Sequence, residues 1–217
     1  PYRRQRQMCI RDSLSGECSH LYLAIDGVLA AVIAITDPIR EEAPQVVSML
    51  RKCGLSKIVM MTGDSERTAK VVAAKVGVDE YYSEVLPEDK ASYVEKEHQA
   101  GRKVIMIGDG VNDSPALSAA DVGIAICDGA EMAREIADIT IAGDNLEELV
   151  TLKRLSNALV KRIHGNYRQI VGFNTGLILC GIGGVMQPAT SALLHNTSTL
   201  AISVKSMKDL LNENDEK

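Results

Sequence analysis

Three short strings in this chain carry side chains able to handle a phosphate group. The strongest is MIGDGVNDSPAL, Met106 to Leu117, in which an aliphatic strand pattern ends on Asp109 and Asn112 and Asp113 open a helix. Gly108 and Gly110 permit the sharp turn between them. Two carboxylates, Asp109 and Asp113, therefore converge at one strand end. Hard oxygen ligands in a sparse protein shell suit Mg²⁺, which keeps several waters and bridges phosphate oxygens. The plain alternative is a solvated Asn-Asp turn that caps a helix.

The second string is MTGDSERT, Met61 to Thr68, again where a strand runs into a helix. Thr62 offers a hydroxyl, and Gly63 an unshielded backbone N–H, to an anion near a helix N-terminus, where the dipole favours negative charge. Asp64 or Ser65 serves equally well as an N-cap, so the string alone leaves both readings open. The third is Lys90 in LPEDKASYV. A lysine just inside a helix start is by itself a surface charge. Its place behind Thr62 and ahead of Asp109 is what draws it into the group.

These residues need an element pattern to hold them, and the pattern is a regular one. His20 to Ile25 and Val28 to Ile35 are apolar runs joined at Asp26-Gly27, a dipeptide that favours a tight hairpin. From Asp37-Pro38 onward strand and helix alternate: a helix near Glu41 to Cys53 stopped by Gly54, a strand at Lys57 to Met61, a helix from Ser65 to Val76 stopped by Gly77, and a helix at Glu88 to Ala100. Further strands are expected at Val104 to Ile107, Val122 to Ile126 and Ile139 to Ile141. This rhythm predicts an α/β fold with a mostly parallel sheet covered on both faces.

Composition agrees. With 217 residues, 46% of them hydrophobic, and a net charge of -5, the chain holds one sizeable core plus an appendage, and it lacks the basic footprint of a nucleic-acid binder. Its five cysteines stand far apart with no Cys-x-x-Cys pair, which argues against a disulfide framework. The basic opening PYRRQRQMCIRDS has no apolar run behind it, and residues 1–14 read as a non-native or disordered leader and not a signal peptide.

Taken in order, a Thr at one strand end, a Lys on a following helix and a GDGxND turn resemble the haloacid-dehalogenase superfamily. More closely, TGDSERTA, PEDK, GDGVNDSPAL and DVGIAI look like the phosphorylation domain of heavy-metal-transporting P-type ATPases, over almost all of Asp37 to Ser206. The resemblance implies a Rossmann-type parallel sheet, ATP and Mg²⁺ as cofactors, and transport of a transition-metal cation through an aspartyl-phosphate intermediate. By the same resemblance Thr62, Gly63, Asp64 and Lys90 form the catalytic group, Asp109 and Asp113 hold Mg²⁺, and Asp37, Gly110 and Asn112 complete the cofactor site. The family's nucleophile, an aspartate in an Asp-Lys-Thr-Gly string, has no counterpart in this sequence. Its strand lies between those ending at Thr62 and Asp109 in the family, so a gap is expected there and the chain alone is expected to be inactive. Two other readings stay open, a soluble phosphatase of the same superfamily and a catalytically dead module that binds phosphate and Mg²⁺.

After Asn145 a long helical pattern turns apolar from Ile170 to Met186, breaks at Gln187-Pro188, and resumes as Ala189 to Val204. Hydropathy alone leaves these stretches ambiguous as membrane spans. The resemblance makes them a terminal transmembrane hairpin in a multi-pass membrane protein whose phosphorylation domain is cytoplasmic, with the lipid bilayer as a partner. The implied organisation is a hairpin remnant of the nucleotide-binding domain at 15–36, the phosphorylation domain at 37–150, a stalk helix at 151–168, two membrane helices at 169–206 and a polar tail at 207–217. Polar groups inside a membrane are functional candidates, which singles out Asn174, Cys180, His195, Asn196, Thr197 and Ser198, with Cys180, His195, Asn196 and Ser198 as expected ligands of the transported cation.

Overall fold

The computed structural model describes residues 19–35, 38–108, 112–127, 136–142 and 145–211. Asp37, Asp109 and Gly110, the leader at 1–14 and the last residues of the polar tail lie outside the described residues. The chain divides between Leu149 and Val150 into two units.

In the first unit, β1 (Ser19–Ile25) and β2 (Val28–Ile35) pair antiparallel. Asp26 and Gly27 turn between them at φ 47° and 75°, the mirror-image turn that matches strand twist. Leu21, Tyr22, Leu23 and Val28 all remain exposed on this ribbon. Helices and strands then alternate: α1 (Ala43–Lys52), β3 (Val59–Met61), α2 (Glu66–Val76), β4 (Glu80–Tyr82), α3 (Pro87–Gln99), β5 (Ile105–Gly108), α4 (Ser114–Ala119), β6 (Val122–Cys127) and β7 (Ile139–Ala142). The short strand β4, with only three residues, is too brief to show a period and was not anticipated from sequence.

Every pairing among β3 to β7 is parallel. β3 pairs with β4, and β5, β6 and β7 form a second ladder in that order. No ladder joins β3 to β5 among the described residues, and Ile105 and Ile107 of β5 stay 40% and 37% exposed. This is the position where the family resemblance implies a gap.

Small side chains let the layers close tightly. Val46 and Leu50 of α1, Ala69 and Ala73 of α2, Val94 of α3 and Ala116 and Leu117 of α4 are buried. Against α4 lies β6, where a Cβ on Gly123 would sit 2.7 Å from the carbonyl oxygen of Leu117. Backbone meets backbone there, so no side chain fits.

The amino ends of the strands are tied by carboxylates. Asp79 takes Arg51 Nη1 at 2.6 Å and the amide of Ile58 at 2.7 Å, which fastens α1 to the start of β3. Asp121 takes Lys103 Nζ at 2.7 Å, His98 at 2.8 Å and the amide of Val104 at 2.8 Å, which fastens α3 to the start of β5. These donors hold both carboxyls below the ordinary aspartate range, with Arg51 the chief cause for Asp79 and Lys103 for Asp121. Glu97 of α3 is buried, accepts from Arg102, and lies 3.8 Å from Lys57. Lys57 in turn reaches Glu80 at 2.8 Å and the hydroxyl of Tyr93 at 3.2 Å. Chiefly through Arg102, the Glu97 carboxyl is held down to about 2.

The second unit is a helical hairpin. Most of α5 (Glu147–Ile182) belongs to it, and at 36 residues this helix is about 54 Å long. It ends in a left-handed cap: Gly184 adopts φ 69°, its amide bonds to Gly181 O, and the Val185 amide bonds to Cys180 O. Pro188 then starts α6 (Pro188–Ser206). The hairpin and its break match the sequence expectation, but the stalk and the first apolar stretch are one continuous helix. No helix among the described residues is long and apolar enough to cross a membrane. Polar runs such as His195 to Thr199 dilute the apolar content of α6. The expectation of two membrane helices is therefore met only as far as the hairpin itself.

Two outcomes follow. Gly123→Ala forces α4 off β6 and should lower stability by about 1–3 kcal/mol, read as a fall in the urea midpoint. Glu97→Gln should destabilise at neutral pH. Because the folded-state pKa is depressed, the glutamate's contribution is present above 4.5 and is lost as pH falls toward about 2, so parent and variant midpoints should converge over that interval.

Candidate functional site

Among the described residues singled out from sequence, Thr62, Gly63 and Asp64 follow β3 and Asn112 and Asp113 follow β5, at the carboxy ends of parallel strands, where α/β folds place their ligands. At the end of β3, the amide of Thr62 bonds to Tyr82 O at 3.0 Å and its carbonyl accepts the Val85 amide at 3.0 Å, so β4 and its following loop hold the residue on both sides. The Thr62 hydroxyl donates to Asp64 Oδ2 at 2.8 Å and accepts the Asp64 amide at 3.1 Å. Thr62 and Asp64 thus close a small turn just ahead of α2, with Ser65 in the extended N-cap position.

Gly63 sits in the middle of this turn. A Cβ there would meet nothing within 4 Å, so packing does not exclude a side chain. What the glycine leaves is open space beside a backbone N–H at a helix entrance. The turn is further fastened to β4 through Glu66, which accepts from Tyr81 at 2.8 Å and Ser83 at 2.5 Å. Those two bonds, Ser83 first, hold the Glu66 carboxyl below its ordinary range.

At the end of β5 the geometry is tighter. Lys90, in the first turn of α3, extends its ammonium to Asp113 Oδ1 at 2.6 Å, with the two side chains only 16% and 11% exposed. A lysine that reads as a surface charge in sequence is a half-buried partner in the fold. Asp113 caps α4 and its side chain lies over Gly108, where an added Cβ would come within 2.4 Å of Asp113 Oδ2 and 2.7 Å of Asp113 Cβ. Gly108 is thus the floor on which the carboxylate rests. Asn112, next to it, is exposed.

The structure therefore joins Lys90 to Asp113 and joins Thr62 to Asp64. Asp113 contributes a hard oxygen next to an ammonium, a donor set suited to a divalent cation accompanied by an anion. Among the described residues, no three His, Cys, Asp or Glu side chains group to hold a metal ion. Asp37, Asp109 and Gly110, expected to complete this site, lie outside the described residues.

In the second unit, His195 Nδ1 and Asn174 Oδ1 meet at 2.8 Å across the hairpin. The hydroxyls of Ser198 and Thr199 both turn back to the carbonyl of His195, at 2.8 and 3.0 Å. Asn196 is exposed, and Cys180 stands six residues past Asn174 on α5, about 9 Å further along the axis. Of the expected cation ligands, then, His195 pairs through its ring with Asn174, and the Ser198 hydroxyl is bonded to the backbone carbonyl of His195.

Sequence reasoning missed Arg162. Its guanidinium donates to the carbonyls of Ser206 at 3.0 Å, Lys208, and Asp209 at 2.6 Å, while Asn166 Nδ2 donates to Ser206 Oγ at 2.7 Å. The clue was available: Arg162 and Asn166 are one helical turn apart, on one face of α5.

Removing one partner of the buried ion pair should cost more than removing both. Lys90→Met leaves the Asp113 charge uncompensated and should lower stability by about 3 kcal/mol. The double variant Lys90→Met with Asp113→Leu should recover much of that loss, as read in a urea-unfolding double-mutant cycle.

Comparison with known proteins places this geometry. A model of haloacid dehalogenase-like hydrolases matches residues 9–121, about half of the chain. The zinc-exporting P-type ATPase of Mycobacterium marinum is 42% identical over 189 residues, 87% of this chain and 26% of that protein. Copper-transporting ATPase 2 of Rhizobium meliloti is 44% identical over 176 residues, 81% of this chain and 21% of that one. The crystal structure of a zinc-transporting PIB-type ATPase in the E2·Pi state matches with a TM-score of 0.81 at 29% identity, over 95% of this chain and 34% of that chain. This chain spans about a quarter of the length of the curated relatives it matches. With its motifs at the ends of parallel strands and its family match covering about half its length, the chain belongs to the haloacid dehalogenase-like hydrolases, and its relatives are metal-transporting P-type ATPases.

Proposed function

We propose that this chain is the phosphoryl-handling part, together with the last helical hairpin, of an ATP-driven pump for a transition-metal cation, working through an aspartyl phosphate. The observation that carries the reading is the Lys90–Asp113 pair, held at 2.6 Å over Gly108 at the end of β5. It brings two of the motifs together from separate helices.

Phosphoryl transfer asks a protein for positioning and charge neutralisation more than for covalent chemistry. In this reading the Lys90 ammonium neutralises the transferred group, and the Thr62 hydroxyl and Gly63 amide donate to its oxygens. For that, the Thr62 hydroxyl must exchange its bond to Asp64 for one to the phosphoryl. Asp109 and Asp113 are the ligands for Mg²⁺, with Asn112, Gly110 and Asp37 completing the surroundings. Bound there, the ion would offset charge on the phosphate oxygens. The nucleophile is an aspartate on a strand entering between β3 and β5, where no ladder joins the two among the described residues.

The α5–α6 hairpin is read as membrane-embedded among other helices, where the His195–Asn174 pair would face the cation. Neutral imidazole suits zinc, copper, nickel or cobalt. Polar residues that dilute the hydropathy of a lone helix are then functional ones.

The test is direct. This chain alone, with Mg²⁺ and radiolabelled ATP, should form no acid-stable acyl phosphate. Co-expression with a strand segment ending in Asp-Lys-Thr-Gly should restore labelling, chelation of Mg²⁺ should abolish it, and Lys90→Ala should slow it about 10²-fold. Labelling of the unaided chain would overturn the reading.

A further inference from the structure

Charge is distributed very unevenly along this chain. Its net charge is -5, yet every charged residue between Val150 and Lys208 is a lysine or an arginine. Seven basic residues, from Lys153 to Lys208, thus stand with no carboxylate among them, and unbalanced charge of one sign attracts a partner of the other.

The fold gathers part of this charge at one level. Arg162 draws the end of α6 onto α5 through the carbonyls of Ser206, Lys208 and Asp209. Lys205 Nζ reaches Gln169 Oε1 at 3.3 Å, one residue beyond Arg168. The open end of the hairpin therefore carries Lys161 and Arg168 from α5 beside Lys205 from α6 and Lys208 just past its end, all four exposed. From Lys161 to Arg168 this collar is about 10 Å deep along the α5 axis. Tyr167 stands within it, 65% exposed. Immediately beyond, apolar side chains line the outside of the hairpin, with Ile170, Val171 and Phe173 exposed on α5 and Leu200 and Val204 on α6.

A basic band with an exposed tyrosine, bordering an apolar surface, is the profile of a segment at the headgroup level of a bilayer. We propose that the open end of the α5–α6 hairpin is a docking surface for an anionic phospholipid headgroup layer, contacted by Lys161, Arg168, Lys205 and Lys208. Arg162 serves it indirectly. Its guanidinium is spent on backbone carbonyls, and its work is to bring Lys205 and Lys208 level with the basic residues of α5. The next carboxylate in the sequence, Asp209, follows the collar directly, and the carboxylates of the polar tail lie outside the described residues. The inference builds on the membrane reading of the hairpin but adds a lipid preference which that reading does not contain.

Vesicle co-sedimentation of the full chain separates the two. Binding to pure phosphatidylcholine vesicles reports insertion of the apolar hairpin, and the increment on adding phosphatidylglycerol reports the collar. Each of Lys161→Gln, Arg168→Gln, Lys205→Gln and Lys208→Gln should lower affinity for the anionic vesicles about fivefold, and leave binding to the neutral ones unchanged. Arg168→Lys should retain the parent affinity, and raised salt should erase the increment. Circular dichroism of each variant checks that the helices persist. Inorganic phosphate at matched ionic strength should not displace the chain. Equal binding to both vesicle types, an anionic preference that survives the fourfold variant, displacement by phosphate, or no vesicle binding at all would overturn the proposal. An anionic increment without neutral binding would sustain it while counting against insertion of the hairpin.

Discussion

Two opposite charges taken largely out of water hold the candidate site together. Lys90 and Asp113 lie 2.6 Å apart on different helices, and each is the reason the other tolerates burial. Neither charge would be stable alone at that depth. α3 therefore cannot swing away from α4 without stranding a carboxylate on Gly108. In the proposed function the same contact sets the chemistry, because an ammonium and a carboxylate oxygen at one strand end suit an anion and a cation together. Gly108 contributes by absence, since any side chain there would occupy the volume of the Asp113 carboxylate.

The strands divide their labour by end. At the amino ends, Asp79 and Asp121 accept from side chains and from the amides just ahead of the strands, and they act as fasteners. Glu97 does the same between α3 and the loop behind it. At the carboxy end of β3, the side chains of Thr62 and Asp64 bond to one another, and Gly63 borders open space. Groups already committed to structural partners have little left for a ligand, whereas groups bonded only to each other exchange partners at small cost. This asymmetry makes one end of the fold a clamp and leaves the other as the candidate site.

The hairpin follows a different logic. Its helices meet through few large apolar contacts, with Leu177 the buried one beyond the start of α5. Register is set instead by polar pairs spaced along the seam: Arg162 with the end of α6, Asn166 with Ser206, and Asn174 with His195. Hydrogen bonds are directional and specify one alignment, where apolar packing would tolerate several. The basic collar at the open end is a consequence of that alignment.

Much was legible in the sequence because it rests on local rules. The Asp26-Gly27 turn, the stop at Gly77, the break before Pro188 and the strand-helix alternation each depend on a few neighbouring residues, and the GDGVND string announced chemistry before any fold was known. The three-residue strand β4 escaped because its existence depends on pairing with β3 and not on its own pattern. The burial of Lys90 and the whole role of Arg162 escaped for a similar reason. A long cationic side chain reads as solvated until its partner is located, and here the partners lie 23 residues away at Asp113 and 44 or more at Ser206 to Asp209. The sequence by itself determined which residue types stand at strand ends and helix starts, since backbone propensity and hydrophobic period act over short range. Only the tertiary structure decided which charges are buried, which carboxylates are occupied and which helix faces share a level, since those depend on contacts that no local pattern encodes.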